Sequence, residues 1–520
     1  MKWGLLGGLF AVAAVTAANA LAAPSPTRWC GSDESAADRL PDAVASYQLH
    51  AVYAIPSDGT DRFASLALPI ARDLAAIDSW WRQQDPARAP RWDLHAFPGC
   101  DTAFGGLDIS FVRLPQPSSA YADIAGGGYG TLRRDAGGAL TDQYKKYAVY
   151  YDGPVTAGAG ICGVSSFGPV DSSSLSFTYV NGDPERGRCG SLGAADYMAE
   201  TMVHEIIHGL GAVSDNAPHE CSDGHVCDAD NDVMRPFGTS NSLTDYALDV
   251  GRDDYYGHSS AWWDVQDSPW LSRVDAPQFA LSVTLAGSGQ GQVASELPGI
   301  ACPPACSIAW ESGSVVRLNA EATADRSRFA GWSGSCSREV CELTVDAAKS
   351  VTATFVEQRT LRVAVVRAGG AGRVSSRPEG LDCPGAACES LFDLGAGVVL
   401  SATADPRSRL LGWSLPACAS RTTCSVSLAD DRTVTVRFGP GAYRLAASVS
   451  GKGRVTSSPA GLSCTASCAH SFPYGRSVRI RATPAKDWRF SGWSGACRGR
   501  GACVVKVTKA SAVRATFRRS

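Results

Sequence analysis

The amino-acid sequence predicts a multidomain protein in which a mixed α+β domain is followed by three small all-β modules. Three observations support this prediction. The 520-residue chain is 44% hydrophobic and 19% charged, which suits several packed cores rather than disorder. Its first half contains both helix-length and strand-length apolar patterns. Its second half repeats a Gly-Trp pair at Gly331, Gly412 and Gly492, and four cysteines accompany each copy.

The first 22 residues have the pattern of a secretory signal peptide. Lys2 precedes an apolar run over residues 3–18, and small residues offer cleavage after Ala20 or Ala22. The run is short for a membrane span of about 20 residues, and no later segment is long and apolar enough to be one. We therefore expect a secreted, extracellular protein that has no transmembrane anchor and is either free or associated with the cell surface.

Residues 24–276 are predicted to form the α+β domain. Apolar residues at intervals of three and four indicate helices over 62–82 and 193–208. Short apolar runs rich in aromatic and β-branched residues indicate strands over 47–53, 92–97, 108–113 and 147–151.

The second predicted helix carries the motif His204-Glu205-Ile206-Ile207-His208. Two histidines four residues apart project from one face of a helix, so both imidazoles can bind one metal ion. Glu205 can accept a proton from a water bound to that metal while the water attacks a carbonyl carbon. The motif predicts one catalytic Zn2+ as the cofactor and Glu205 as the general base. The alternative is a pair of ordinary histidines near the end of a helix.

The longer stretch from His204 to Gly211 resembles the metzincin pattern HExxHxxGxxH/D. In that family the glycine turns the chain after the active-site helix, and a third ligand completes a metal site that keeps one open position. The expected ligand position is Ser214 in this sequence, and serine is a poor zinc ligand. The resemblance implies a metzincin-like zinc peptidase fold for the first domain, with a protein or peptide as substrate.

The resemblance also bears on the third ligand and on a methionine. The stretch LGAV followed by APH is similar to a group of metzincin-like bacterial secreted proteins, which favours His219 as the third ligand. Asp215 is the alternative, and His225 is a further candidate. Met234 resembles the methionine of the metzincin Met-turn, which lies beneath the metal.

Other polar residues of this domain have weaker patterns. Calcium binding by Asp228, Asp230 and Asp232 is conceivable but unsupported, because the EF-hand spacing is absent. Oxyanion stabilisation would need a donor, and the candidates are Tyr255, Tyr256 and His258. Six cysteines are expected to form three disulfides, one of which joins Cys221 to Cys227. Cys30 has an alternative role as a latency thiol on the zinc.

Three β-repeats are predicted at residues 279–356, 360–438 and 442–520. Each combines alternating apolar segments with two close cysteine pairs, so we expect two disulfides that close small loops in each module. The twelve cysteines are Cys302, Cys306, Cys336, Cys341, Cys383, Cys388, Cys418, Cys424, Cys464, Cys468, Cys497 and Cys503. The recurring Gly-Trp-Ser-Gly pattern resembles divergent internalin-B-type bacterial repeats, which implies extracellular spacing or attachment.

Charge divides the chain into two parts. Residues 1–278 contain 18 Lys/Arg and 35 Asp/Glu, whereas residues 279–520 contain 30 and 16. The third repeat alone has 15 basic residues and one acidic residue, Asp487. Such a module could bind an anionic cell-envelope polymer, and the alternative is a basic surface that only serves solubility. No nucleic-acid partner is expected.

Together, these patterns predict a secreted zinc-dependent endopeptidase whose C-terminal repeats attach it to a surface or substrate. Two alternatives stay open. One is a non-catalytic surface adhesin or binding protein with structural zinc, and the other is a cell-wall amide hydrolase.

Overall fold

The computed structural model describes residues 24–31, 38–100, 102–156, 161–166, 172–181, 189, 192–195, 197–236, 242–337, 339–383 and 387–520. The predicted signal peptide, residues 1–22, lies outside these ranges. Within them, no helix combines the length and the apolar character needed to cross a bilayer. The first domain and most of the first repeat form one compact unit, and residues Phe355–Ser520 belong to a second.

A five-stranded sheet forms the centre of the first domain, in the order β3-β1-β4-β6-β5. Strands β1, β3, β4 and β6 are parallel, and β5 is antiparallel to β6 at the edge. The strands are β1 Gln48–Ile55, β2 Arg88–Pro90, β3 Ile109–Arg113, β4 Lys145–Tyr151, β5 Gly163–Ser165, β6 Leu175–Tyr179, β7 Glu220–Ser222, β8 His225–Val226 and β9 Leu271–Arg273. The short strands outside the sheet pair as β2 with β9 and β7 with β8.

Three helices cover both faces of this sheet. They are α1 Phe63–Gln84, α2 Tyr129–Ala139 and α3 Tyr197–Gly209. Ala51 and Tyr53 of β1 pack in one core with α1 and α3, whereas Val52 and Ala54 pack in a second core with α2. Burial on both faces explains why the parallel strands have continuous apolar sequences rather than alternating ones.

The predicted elements of this domain agree with the structure in part. Both predicted helices are present, as α1 and α3, and three predicted strands correspond to β1, β3 and β4. The strand predicted over 92–97 is wrong, since residues there form only isolated bridges, at Trp92, Leu94 and His95. The helix α2 was not predicted because its three glycines weaken the helical pattern.

Four-stranded sheets recur in the three repeats: the third repeat has two of them, and the first and second repeats each have one. In the third repeat the sheet orders are β28-β25-β32-β30 and β27-β26-β29-β31, and one hydrophobic core includes residues of both. The same pairing gives β12-β11-β14-β16 in the first repeat and β19-β18-β21-β23 in the second. These strands confirm the prediction of small all-β repeats.

The strand bounds follow the chain through the three repeats. The first repeat has β10 Gln278–Gly287, β11 Gly291–Ser295, β12 Ala301–Cys302, β13 Ser307–Glu311, β14 Ser314–Ala322, β15 Ser327–Gly334, β16 Cys341–Val345 and β17 Lys349–Arg367. The second has β18 Gly372–Arg377, β19 Asp382–Cys383, β20 Ala387–Asp393, β21 Gly397–Ala404, β22 Ser408–Trp413, β23 Thr423–Ser427 and β24 Arg432–Pro440. The third has β25 Ala442–Ser450, β26 Gly453–Ser458, β27 Ser463–Cys464, β28 Ser467–Pro473, β29 Ser477–Pro484, β30 Trp488–Gly495, β31 Cys503–Lys506 and β32 Ser511–Arg519. The boundary predicted between residues 356 and 360 falls inside β17.

All eighteen cysteines form disulfides. Each close pair in the repeats closes its own loop, as the spacing predicts: Cys302–Cys306, Cys336–Cys341, Cys383–Cys388, Cys418–Cys424, Cys464–Cys468 and Cys497–Cys503. The first domain has Cys30–Cys100, Cys162–Cys189 and Cys221–Cys227. Cys30 therefore has no free thiol, which contradicts the alternative of a latency ligand.

The first repeat makes buried polar contacts with the first domain. Arg91 donates to the carboxylate of Glu311 at 2.7 Å, and the two side chains are 7% and 12% exposed. The amide of Ser46 donates to the carbonyl oxygen of Pro298 at 2.9 Å. Arg91 and Glu311 are largely removed from water, so each charge depends on the other as its partner.

Candidate metal centre

The helix α3 lies directly on strand β6 of the sheet. The hydroxyl of Ser176 donates to the carbonyl oxygen of Glu205 at 2.8 Å, and that of Ser174 donates to the carbonyl oxygen of Gly209 at 3.1 Å. A Cβ atom on Gly209 would lie 2.8 Å and 2.9 Å from these two hydroxyl oxygens. The glycine after the second histidine of the motif therefore allows the end of the helix to approach the sheet.

Three histidine side chains meet beside this helix. The Nε2 atoms of His204 and His208 are 3.1 Å apart, and the Nε2 atom of His225 lies 3.2 Å from the first and 3.4 Å from the second. His204 and His208 are buried, whereas His225 is partly exposed. The two histidines of the motif thus form a cluster with His225, which lies 17 residues after His208 in the chain.

Backbone carbonyl groups determine which ring nitrogen of each histidine carries the proton. The Nδ1 atom of His204 lies 2.7 Å from the carbonyl oxygen of Val233, that of His208 lies 3.0 Å from Ala212 O, and that of His225 lies 2.9 Å from Ser222 O. A carbonyl oxygen only accepts hydrogen bonds, so each Nδ1 atom carries the proton. The three Nε2 atoms are then lone-pair donors that face one another.

This donor set fits a zinc ion. Nitrogen atoms that bind tetrahedral Zn2+ at about 2.0–2.1 Å are about 3.3 Å apart, which is close to the separations of the three Nε2 atoms. Neutral imidazole is also the form that binds metal. Burial, with the nearby His225, lowers the pKa of His204 to about 4, and burial with His204 lowers the pKa of His208 well below its usual value.

The structure does not bring His219 to this cluster. Its Nδ1 atom lies 3.0 Å from a carboxylate oxygen of Asp254, and its backbone N–H donates to the same carboxylate at 2.9 Å. This hydrogen bond raises the pKa of His219. The alternative, Asp215, is exposed and belongs to none of the potential ligand groups among the described residues. The histidine that joins His204 and His208 is therefore His225 and not His219.

A short disulfide-closed hairpin presents His225. Strands β7 and β8 are joined through Asp223 and Gly224, both in the left-handed backbone region, with φ values of 49° and 78°. The disulfide Cys221–Cys227 closes this hairpin. The sequence predicted the disulfide Cys221–Cys227, but it favoured His219 and not His225 as the third ligand. The signal for His225 was its position between the two cysteines.

Met234 lies in a segment that contacts two parts of the centre. The carbonyl oxygen of the preceding Val233 accepts the proton of His204, and the carbonyl oxygen of Met234 accepts the N–H of Val226 at 3.1 Å. Its side chain is fully buried in the core that also contains Met202 and Ile206. The methionine thus lies in a segment whose backbone is hydrogen-bonded both to α3 and to the histidine hairpin.

Glu205 lies against the edge strand of the sheet. A Cβ atom on Gly163 of β5 would lie 2.7 Å from Cγ of Glu205 and 2.6 Å from Cγ2 of Thr201. Glycine is therefore required if the edge strand is to pass this close to the helix. Burial and then the carboxylate of Glu200 raise the pKa of Glu205 well above its usual value. A nearby cation would oppose that shift, because it favours the carboxylate form.

The cluster offers three protein ligands. Among the residues that the structure describes, no cysteine, carboxylate or further histidine joins His204, His208 and His225, and the cysteines there are all in disulfides. Catalytic zinc sites have three protein ligands and one open position, whereas structural sites use four. The number of ligands that the described residues offer is thus the number found in catalytic sites.

The remaining sequence candidates have structural partners. Asp232 is buried and accepts hydrogen bonds from the amide of Met234 and the hydroxyl of Tyr255, while Asp230 forms an ion pair with Arg235. Asp228, Asp230 and Asp232 do not form one of the ligand groups found among the described residues. Tyr255 and Tyr256 are fully buried and donate to carboxylates, so the structure does not support an oxyanion role for either.

A second group of titratable residues forms an ion-pair network instead of a metal site. It contains Asp38, His50, Asp93 and Asp108. The ammonium group of Lys145 lies among these carboxylates, 2.6 Å from Asp93 and 2.5 Å from Asp38. Lys145 therefore pairs with two of the carboxylates that a metal would need.

Comparisons with known proteins concern mainly the second half of the chain. A family model described as the divergent InlB B-repeat domain matches residues 281–359 and 443–520. This match agrees with the resemblance found for the repeats. No curated protein matches the chain significantly.

Similarity to solved structures is weak. The Bacillus anthracis TIE protein is 9% identical, over 47% of this chain and 51% of its own, with a TM-score of 0.22. Catalytically inactive OgpA from Akkermansia muciniphila, in complex with an O-glycopeptide, is 10% identical over 81% of this chain and 99% of its own, with a TM-score of 0.23. The chain thus spans about half of the TIE protein. TM-scores this low do not establish a common fold.

Proposed function

We propose that this protein is a secreted zinc-dependent endopeptidase whose first domain is metzincin-like. The observation that carries the proposal is the convergence of three imidazole Nε2 atoms within 3.1–3.4 Å, directly beside Glu205 on the helix of the HExxH motif. Secretion rests on the signal-peptide pattern of residues 1–22 and agrees with eighteen paired cysteines.

His204, His208 and His225 would hold the zinc ion. Bound zinc would supply Lewis acidity and lower the pKa of a coordinated water to about 7. The backbone carbonyl groups keep the three Nδ1 protons in place, so each imidazole presents its unprotonated Nε2 atom. Glu205 would accept the proton of the attacking water and transfer it to the amine of the departing peptide.

The open ligand position favours this proposal over a structural zinc site in an adhesin. A structural site would need a fourth protein ligand, and none joins the cluster among the described residues. In the proposed enzyme, the C-terminal repeats attach the catalytic domain to a surface or substrate.

The test combines metal analysis with a broad peptide-library digest of the mature protein. We expect about one zinc per chain and peptide cleavage that chelation abolishes. Glu205→Gln should keep the zinc and lose at least about a thousandfold in kcat. Retention of full activity by this variant would refute the mechanism. A peptidoglycan digest in parallel distinguishes a peptidase from a cell-wall amide hydrolase.

A further inference from the structure

The third repeat has an exposed sheet surface with four cationic side chains, which we call the basic face. It consists of the outward side chains of β26, β29 and β31, and its cations are Arg454, Arg479, Arg481 and Lys506. All four are exposed and alternate with buried apolar residues that point into the core. Alternation along a strand places outward side chains on one face, so the four charges share it.

The corresponding sheet of the first repeat neutralises its arginine. Arg317 lies opposite Glu342, and their side chains form an ion pair at 2.6 Å. Leu318, which follows, lies opposite Cys341, just as Ile480 lies opposite Cys503 in the third repeat. Arg479 therefore occupies the position of Arg317.

The residue opposite Arg479 is Val504, in the position where the first repeat has Glu342. The carboxylate is missing although the arginine is kept. This is the first of three positions at which another repeat has a carboxylate and the third repeat does not.

The two other differences concern Arg454. Its counterpart in the second repeat, Arg373, donates to Asp382 at 3.0 Å, whereas Arg454 donates to the hydroxyl of Ser463 at 3.2 Å. In the first repeat, Glu321 accepts from Gln292 at 3.0 Å, and the same strand position in the third repeat is Thr483. Among the described residues, no carboxylate forms an ion pair with any cation of the basic face.

The spacing and composition of the basic face indicate which class of polyanion it suits. Strands about 4.8 Å apart, with outward side chains about 6.7 Å apart along each strand, space the cations regularly over the face. The outward positions of β26, β29 and β31 contain no aromatic side chain, which single-stranded nucleic acid would need for base stacking. Val504 is their only large apolar residue, so the face lacks the apolar surface that inserts into lipid.

We propose that the basic face of the third repeat binds an acidic polysaccharide, with carboxylate or sulfate groups on successive sugars paired to its Arg and Lys side chains. Binding relies on the sum of exposed charges rather than on one deep pocket. It is therefore salt-sensitive, because exposed charges are screened over about 8–10 Å at moderate ionic strength. This inference is independent of the proposed peptidase activity.

The test restores the carboxylates of the other repeats instead of removing arginines. The full-length double variant Thr483→Glu/Val504→Glu is compared with Thr403→Glu/Ser425→Glu, which adds the same two charges at the same two strand positions of the second repeat. All four positions are exposed, so the fold should tolerate these changes. Binding to immobilised polygalacturonate and dextran sulfate is measured at low and high salt.

We expect the wild type to bind at least one of the two polysaccharides at low salt and to be released at high salt. The variant in the third repeat should bind roughly tenfold or more weakly, while the control in the second repeat keeps its affinity. Equal losses in both variants would overturn the proposal, as would binding that resists high salt. Stronger binding to duplex DNA or to phosphatidylglycerol vesicles than to either polysaccharide would also overturn it. Arg479→Gln/Arg481→Gln provides a second variant that should weaken binding.

Discussion

The Nε2 atom of His225 lies 3.2 Å from the Nε2 atom of His204, although 21 residues separate them in the chain. The contact joins a disulfide-closed hairpin to the end of a buried helix. It brings His225 to the cluster for which the resemblance had favoured His219.

Removal of each candidate histidine distinguishes the two assignments. His225→Ala should lose zinc, because it removes one of three converging Nε2 atoms, and its loss of affinity should be at least about a hundredfold. His219→Ala should keep about one zinc per chain, since its ring contacts Asp254. Metal content after dialysis measures both. Zinc retained by His225→Ala and lost by His219→Ala would reverse the assignment.

The close approach of the edge strand to Glu205 can be tested by adding one methyl group at Gly163. Gly163→Ala would place its Cβ atom 2.7 Å from Cγ of Glu205, so the glutamate side chain or the edge strand must shift. We expect kcat to fall roughly tenfold or more, because catalytic groups tolerate little displacement, while zinc content stays unchanged. Gly130→Ala is the control, since a Cβ atom there meets nothing within 4 Å. An unchanged kcat in Gly163→Ala would show that Glu205 does not need its present position.

The ion pair between the first domain and the first repeat should contribute to stability. Glu311→Ala leaves the largely buried guanidinium of Arg91 without its carboxylate, and we expect a loss of about 3 kcal/mol in the free energy of unfolding. Glu342→Ala, in the same repeat, breaks the exposed pair with Arg317 and should cost about 1 kcal/mol or less. Denaturant titration of both variants checks the difference. Equal, small losses would mean that Arg91 is satisfied by its backbone partners alone.

The Lys145 network predicts a pH dependence of stability. Three carboxylates face three cationic groups when His50 is protonated, namely Asp38, Asp93 and Asp108 with Lys145, Arg39 and His50. Asp42 is a further carboxyl, and burial together with Asp93 raises its pKa to about 7 from a usual value of 3.8. Between pH 4 and 7 the folded state holds a proton that the unfolded state has released, so stability falls as pH rises through this window.

Asp42→Asn should flatten that dependence. The slope removed is at most about 1.4 kcal/mol per pH unit, and the variant should be more stable relative to wild type at pH above 7 than at pH 5. Unfolding titrations at several pH values measure it, with the exposed Asp267→Asn as the control. A wild-type slope that persists in Asp42→Asn would assign the pH dependence to other groups.

Features set by short stretches of chain were predictable from the sequence. The motif helix follows from its own periodicity, and the repeat disulfides follow from cysteines four to six residues apart. The third imidazole could be named from the sequence only as one of several candidates, because its position depends on where the hairpin after α3 folds back. The strand expected at 92–97 failed because an apolar run does not reveal whether its backbone finds a ladder of partners. The exchange of Glu342 for Val504 between repeats was visible in the sequence, but only the strand register shows that the two positions correspond.

The carbonyl groups that hold the three Nδ1 protons belong to Val233, Ala212 and Ser222, and every residue type supplies such a group. The orientation of the imidazoles therefore does not depend on the side chains at those positions. Conservative substitutions there should be nearly silent for metal affinity, whereas changes that redirect the backbone should not. This predicts a centre with wide mutational tolerance around a narrow set of indispensable atoms.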